Sequence, residues 1–237
     1  MYVEDIEIPI FDDNISLKGS IYYSSKTLKK APFIINIAGL GNDRDSKFVY
    51  YFSKKFAEAG FYVLSYDHRG HGENAKFFIK NVKFNIVKIF TDINQIITWV
   101  LKYQKNKVLY DNLILFGRSL GGAIILSHGF IDERAKILIP LCTRYDYHTF
   151  PFIKFSENII KEISPRYFLK VHPSNNYRIL TAHCRDDNII PFNNIFKIKE
   201  HLGLSDENII IYDSGKHSFK NRREDLFKRC IKFLKRI

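Results

Sequence analysis

Residues 112–122, Asn-Leu-Ile-Leu-Phe-Gly-Arg-Ser-Leu-Gly-Gly, constrain the fold of this chain more than any other stretch. Leu113 to Phe116 is an unbroken apolar run of strand length, the pattern of a strand buried on both faces. It leads directly into Gly117-Arg118-Ser119-Leu120-Gly121 and then into an apolar, helix-like segment. A serine on so tight a strand-to-helix turn takes a strained backbone, and the residues two positions to either side must be small. Gly117 and Gly121 meet that demand. The turn projects the Ser119 hydroxyl out of the sheet at a helix start, where the N–H of Leu120 lacks an intrahelical acceptor and can stabilise an oxyanion. Alone, G-x-S-x-G is a weak signal, so the rest of the chain has to supply its partners.

In chain order, residues 2–10 and 15–24 alternate apolar and polar around Asp12-Asp13-Asn14, which predicts an antiparallel hairpin at a sheet edge. Phe33 to Ala38 reads as a third strand. It ends at Gly39-Leu40-Gly41, which is either an ordinary strand-end turn or a loop that brings the N–H of Leu40 to the oxyanion. A helix over residues 46–59 and a strand from Phe61 to Tyr66 complete a βαβ crossover. The polar loop Asp67-His68-Arg69-Gly70-His71-Gly72 follows at the strand's C-terminal end, where ligands of open α/β sheets collect. His68 and His71 lack the companion cysteines or carboxylates of a metal site, so no metal is expected there. Apolar residues from Ile86 to Leu101 recur every three or four positions and predict a core helix, with Trp99 nearby.

After the serine turn the pattern predicts one helix through about Phe130, in which His128 is a packing or surface residue and not a catalytic one, and then a strand over 136–141. Residues 143–176 lose regular periodicity apart from a short helix near 156–163. The aromatics Tyr145, Tyr147, Phe150, Phe152 and Phe155 fit either a small lid or pocket wall over the serine or a simple surface connection. A strand over 178–183, a helix over 192–201, a strand over 208–212 and an amphipathic helix through Ile237 close the chain. Strands and helices alternating in this way predict a mostly parallel, doubly wound sheet.

At 237 residues the chain fits a single α/β domain, 1–237, with little room for a second. No apolar run approaches the roughly 20 residues of a membrane span, and the N-terminus carries early acids in place of a basic and then apolar leader, so a cytoplasmic protein without stable membrane insertion is expected. Three cysteines, Cys142, Cys184 and Cys230, without paired spacing read as reduced buried thiols. The net charge of +12 is spread along the chain as a solvated basic surface, and no nucleic-acid motif accompanies it.

Three chemically capable groups thus fall at C-terminal ends of expected strands in the order Ser119, Asp187, His217, the serine, acid, histidine order of one hydrolase arrangement. Over nearly its whole length the chain resembles an α/β-hydrolase. Gly117-Arg118-Ser119-Leu120-Gly121-Gly122 resembles the nucleophile elbow, and Asp67-His68-Arg69-Gly70-His71-Gly72 the turn common in the monoacylglycerol lipase and esterase branch. Residues 183–191 are similar to the acid motif H-G-x-x-D-x-x-V-P, and Gly215-Lys216-His217 to the late histidine loop.

The resemblance implies the α/β-hydrolase fold, an eight-stranded and mostly parallel sheet flanked by helices with a small lid insertion. It also implies a triad in which His217 takes the Ser119 proton while Asp187 fixes the imidazole, with Leu40 and Leu120 as oxyanion donors and no cofactor or metal. Asp186 and Asp146 are the alternative acids. Ala38 stands where the family often has histidine, and Cys184 where a glycine is common. The implied activity is that of a carboxylesterase on small-molecule esters with small to medium acyl or aryl groups. The alternatives are a prolyl-oligopeptidase-like peptidase, an acyl thioesterase, or a non-catalytic ligand-binding protein on the same fold.

Overall fold

The computed structural model describes residues 1–77 and 82–236. It opens on the expected hairpin, β1 (Tyr2–Ile10) running antiparallel to β2 (Ile15–Tyr23) with Ile10 opposite Ile15. The chain continues through β3 (Ala31–Ile37), α1 (Lys47–Glu58), β4 (Tyr62–Tyr66), α2 (Val82–Tyr103) and β5 (Val108–Arg118). It then forms α3 (Leu120–Ile125), α4 (His128–Ile131), β6 (Ile137–Leu141), α5 (Glu157–Ile163), α6 (Asn175–Arg178) and β7 (Thr181–Cys184), and ends in α7 (Asn194–Leu202), β8 (Ile209–Tyr212) and α8 (Arg223–Leu234). One eight-stranded sheet has the order β1-β2-β4-β3-β5-β6-β7-β8. β2 pairs antiparallel with β1 and β4, and every other pairing is parallel.

Strand periodicity explains how both faces are filled. In β5, Leu113 and Leu115 point into a largely aliphatic cluster with Ile89, Ile93, Ile96 and Ile97 of α2. Their neighbours Ile114 and Phe116 point the other way, into an aromatic cluster with Phe48, Phe52 and Phe56 of α1 and Phe233 of α8. Phe116 lies 4.8 Å from Phe52 and 5.2 Å from Phe56 between ring centroids. Each such side chain, once buried, contributes roughly 1.5–3 kcal/mol, so the central strands are clamped from both sides and their C-terminal ends form a rigid edge. All three cysteines are buried and free.

Two expectations need correction. The single helix through Phe130 is broken at Ser127, whose hydroxyl donates to Ala123 O at 2.7 Å and Ile124 O at 3.3 Å, satisfying carbonyls at the end of α3. The strand expected from residue 178 starts later, because 175–178 close one helical turn. The chain then touches β6 through a lone bridge at Ile179 before β7 begins. His128 is a packing residue and not a surface one, buried with its Nε2 2.9 Å from Glu162 O. The last residue of the expected terminal helix, Ile237, lies outside the described residues.

Candidate active site

Ser119 links β5 to α3 with φ 60° and ψ −116°, a conformation costly for a residue with a side chain. The glycines around it are dictated by close backbone approach. A β-carbon on Gly121 would lie 2.2 Å from Ile37 O, and one on Gly117 would lie 2.9 Å from the same oxygen. β3 therefore passes directly against the turn, and a β-carbon on Gly39 would meet the Ser119 β-carbon at 3.5 Å. Among the described residues the N–H groups of Leu40 and Leu120 have no hydrogen-bond acceptor. Both residues line the cavity that Ser119 borders.

The turn after β4 holds that loop. Buried His68 sets its Nε2 3.0 Å from Ala38 O, and since a carbonyl only accepts, Nε2 carries the proton. Burial, followed by the neighbouring His71, pushes the His68 imidazole down to about 3, so it stays neutral over the working range. Asp67 accepts from Arg44 N at 2.8 Å, Arg44 Nη1 at 3.0 Å and Glu73 N at 3.0 Å, tying the Arg44 end of the same loop. Arg69 is forked onto Asp92 of α2 with two bonds of 2.6 Å. The motif read from sequence as a site loop is therefore a brace behind the site.

At the ends of β7 and β8 the structure brings Asp187 and His217 together. Asp187 Oδ2 lies 2.8 Å from His217 Nδ1, and Oδ1 accepts from the N–H groups of Ile189 at 2.9 Å and Ile190 at 3.0 Å. His183 Nε2 adds a contact of 3.2 Å to Oδ2 and one of 3.1 Å to Ile190 O, so this nitrogen too bears a proton. Burial alone would raise the Asp187 carboxyl. The bonds from His183 and His217 and the backbone donors outweigh it and hold the group far below the usual carboxylate range. An ionised Asp187 requires the proton of His217 on Nδ1, leaving Nε2 as a free base.

The alternative acids have other partners. Asp186 accepts from Gly215 N at 3.2 Å and Lys216 N at 2.7 Å and so shapes the histidine loop from below. Asp146 is bound by His148 Nδ1 at 2.7 Å and Arg166 Nη1 at 2.6 Å. Cys142, Asp187 and His217 each bring one possible metal-ligand atom within 4.8 Å of the others. Asp187 and His217 are closed on one another, however, and burial raises the Cys142 thiol well above its ordinary range, which leaves a poor donor set.

Ser119 and His217 border one cavity of about 430 Å³ whose wall is largely apolar. Tyr147, Phe150, Phe152 and Phe155 line it as read from sequence, joined by Ile153, Ile189 and Ile190. Tyr145 does not line it: its ring turns to α7, with the hydroxyl 2.9 Å from His201 Nδ1. The alternation of residues along an irregular loop carries no facing information, which is why Tyr145 could not be separated from Tyr147. Sequence reasoning also missed Arg118 and Arg144, which line the cavity, and the second histidine on the acid. His183 lies four positions before Asp187, a spacing that could have flagged it.

A family model described as serine aminopeptidase, S33, matches residues 41–178, more than half of the chain. No curated protein matches it. Among solved structures, an acylaminoacyl peptidase in complex with Z-Gly-Gly-Phe-chloromethyl ketone is 17% identical at a TM-score of 0.78, covering 98% of this chain and 41% of that one. This chain therefore spans well under half the length of that peptidase. Est1E from Butyrivibrio proteoclasticus, with ferulic acid bound, is 18% identical at a TM-score of 0.74, with 97% of each chain covered. The alpha/beta hydrolase GrgF from Penicillium sp. sh18 is 16% identical at 0.77, over 100% of this chain and 99% of that one. At such identities the likeness is one of fold.

Proposed function

Because the chain belongs to the serine aminopeptidase S33 family of α/β-hydrolase serine hydrolases, we propose that it is a carboxylesterase acting on small to medium acyl or aryl esters through Ser119, His217 and Asp187. The observation that carries the reading is the closed His217–Asp187 pair beside Ser119 in the wall of an apolar cavity. In this mechanism His217 Nε2 removes the Ser119 proton as Oγ attacks the ester carbonyl. The N–H groups of Leu40 and Leu120 hold the oxyanion, each worth about 2.7–4 kcal/mol in the transition state. The imidazolium, stabilised by Asp187, returns its proton to the departing alcohol, and water then cleaves the acyl-enzyme by the same steps in reverse. Ser119 Oγ makes no hydrogen bond among the described residues, in keeping with a contact that tightens when substrate is bound.

Residues 143–176 serve in this reading as a pocket wall within a single domain, pinned where Tyr145 N donates to Asn194 Oδ1 at 2.9 Å and Tyr147 N to Ser164 Oγ at 2.9 Å. The family's name and the acylaminoacyl peptidase neighbour favour a second reading, cleavage of peptide bonds. Against an aminopeptidase stands the wall itself. Among the described residues no aspartate or glutamate lines the cavity to receive a free α-amino group, and two arginines do. A panel of matched 4-nitrophenyl esters, acyl thioesters and aminoacyl 4-nitroanilides decides between them. The ester reading expects kcat/KM on the best ester to exceed that on the best anilide by at least about a hundredfold. The reverse order would establish the peptidase.

A further inference from the structure

Among the described residues four arginines are buried, Arg44, Arg69, Arg118 and Arg144. Two are neutralised: Arg44 by Asp67 and Glu73, and Arg69 by Asp92 and by Asp13 at 2.7 Å. Arg118 and Arg144, only 8% and 4% exposed, form no ion pair among the described residues. Their hydrogen bonds end on neutral oxygens. Arg118 donates to His217 O at 3.2 Å and weakly to Asn42 Oδ1 at 3.5 Å, stacks 4.6 Å over Phe48, and keeps a buried Nε without an acceptor. Arg144 donates to Thr149 O at 3.0 Å, Thr149 Oγ1 at 3.1 Å and Ile189 O at 3.3 Å.

The contrast extends to the charges themselves. Burial pushes Arg118 and Arg144 down from the ordinary arginine value, whereas the carboxylates beside Arg44 and Arg69 lift those two despite burial. The one acid that both sense, Asp187, supplies a single negative charge against their two, and Asp146, which Arg144 also senses, is bound to Arg166. Two desolvated cations that share one acid and form no ion pair of their own leave positive charge uncompensated, and buried charges in folded proteins are as a rule paired. Both line the cavity that Ser119 and His217 border.

We propose that the substrate supplies the missing negative charge, so that the cavity selects esters bearing a carboxylate, whose carbon chain packs on the apolar wall while the anion turns toward Arg118 and Arg144. This rests on the hydrolase reading of the same site and names its substrate class. With both Nη groups of each arginine already donating to backbone or side-chain oxygens, the attraction is that of charge in a desolvated pocket and not a bidentate fork. That favours a compact monoanion on an apolar chain over a phosphate, which needs several free donors.

Binding to a Ser119→Ala protein separates this from catalysis. Monomethyl adipate and its neutral counterpart dimethyl adipate share a chain and differ by one charge. The proposal expects calorimetry to show the monoanion bound about tenfold more tightly or better, in line with a charge-assisted contact. Added Arg144→Gln or Arg118→Gln should bring that ratio toward one, and Arg144→Lys, with charge kept and fork lost, should retain much of it, in proteins whose melting curves confirm folding. Equal affinity for the two esters, no binding of the monoanion, or a glutamine variant that weakens both esters equally would overturn the proposal and leave the arginines as loop ties. If the monoanion is preferred while wild-type protein hydrolyses no ester, the hydrolase reading falls and the anion selectivity stands.

Discussion

Around Ser119 a single added β-carbon at Gly121 would sit 2.2 Å from the Ile37 carbonyl oxygen, whereas at the cavity mouth Phe152 is 73% exposed and meets Phe150 edge-on at 5.5 Å. The first region is fixed by backbone. β3, β5 and the turn between β5 and α3 approach so closely that only glycine fits, and the side chains of Ser119, Asp187 and His217 are aimed by strand ends and by bonds to main-chain atoms. The second region is fixed by side chains packing on one another: Tyr147 on Phe90, Phe150 and Phe155. A catalytic rim needs positions accurate to fractions of an ångström and obtains them from main chain, while a substrate wall needs shape and obtains it from rings that can be exchanged.

The rim is the more brittle of the two, and substitution there gives the largest effects. Asp187→Asn should lower kcat by roughly 10⁴-fold, because the imidazole loses the carboxylate that fixes its tautomer. Asp186→Asn, which keeps one acceptor oxygen for the shorter bond from Lys216 N–H and loses the longer one from Gly215 N–H, should cost less than about tenfold. Steady-state rates on one aryl ester check both, and comparable losses would erase the distinction drawn between these adjacent acids.

Within the wall itself the contrast is between buried and exposed rings. Tyr147 is 6% exposed, and Tyr147→Ala should cost about 3–5 kcal/mol of stability, read as a shift of the denaturation midpoint. Phe152→Ala should cost about 1 kcal/mol or less, yet alter the ratio of rates on a butyrate and an octanoate ester. An unchanged ratio with a large stability loss at Phe152 would reverse its assignment from wall to core.

The brace behind the rim gives a pH-dependent effect. His68 is pushed down to about 3 in the fold, against about 6.5 in the unfolded chain, so the unfolded state binds the extra proton between those values. Stability contributed at this site is complete above about pH 6.5 and declines by about 1.4 kcal/mol per unit as pH falls toward 3. His68→Gln keeps an N–H for Ala38 O and removes the titration. The stability gap between wild type and variant should therefore narrow steadily from pH 6.5 to 4. A gap independent of pH would show that the histidine is not held neutral by burial.

Legibility in the sequence follows the same division. Backbone-dictated features leave composition signals: glycines two places either side of Ser119, alternation in β1 and β2, and the 3–4 spacing along α2 all correspond to elements in the structure. Asp187 and His217 follow expected strands, the resemblance to the acid motif singles out Asp187 from Asp186 and Asp146, and the structure brings Asp187 and His217 into contact. Features set by side-chain direction were not legible. Nothing in the local pattern distinguishes Tyr145, turned to His201, from Tyr147, turned into the cavity. Nor does it show that Arg118 and Arg144 lack the carboxylates that Arg44 and Arg69 possess, since partners lie tens of residues away in the chain. The break at Ser127 depends on a hydroxyl rotamer that helix propensity does not encode.

A Ser119 nucleophile activated by His217 should react covalently with a fluorophosphonate, and labelling tests this most directly. Intact protein is treated with a fluorophosphonate, and the modified residue is located by peptide mass spectrometry. The account predicts one label per chain, on Ser119, absent from a Ser119→Ala protein with an unchanged melting temperature and strongly slowed in Asp187→Asn. A label on any other residue, a label that survives Ser119→Ala, or no reaction in the wild type would contradict it.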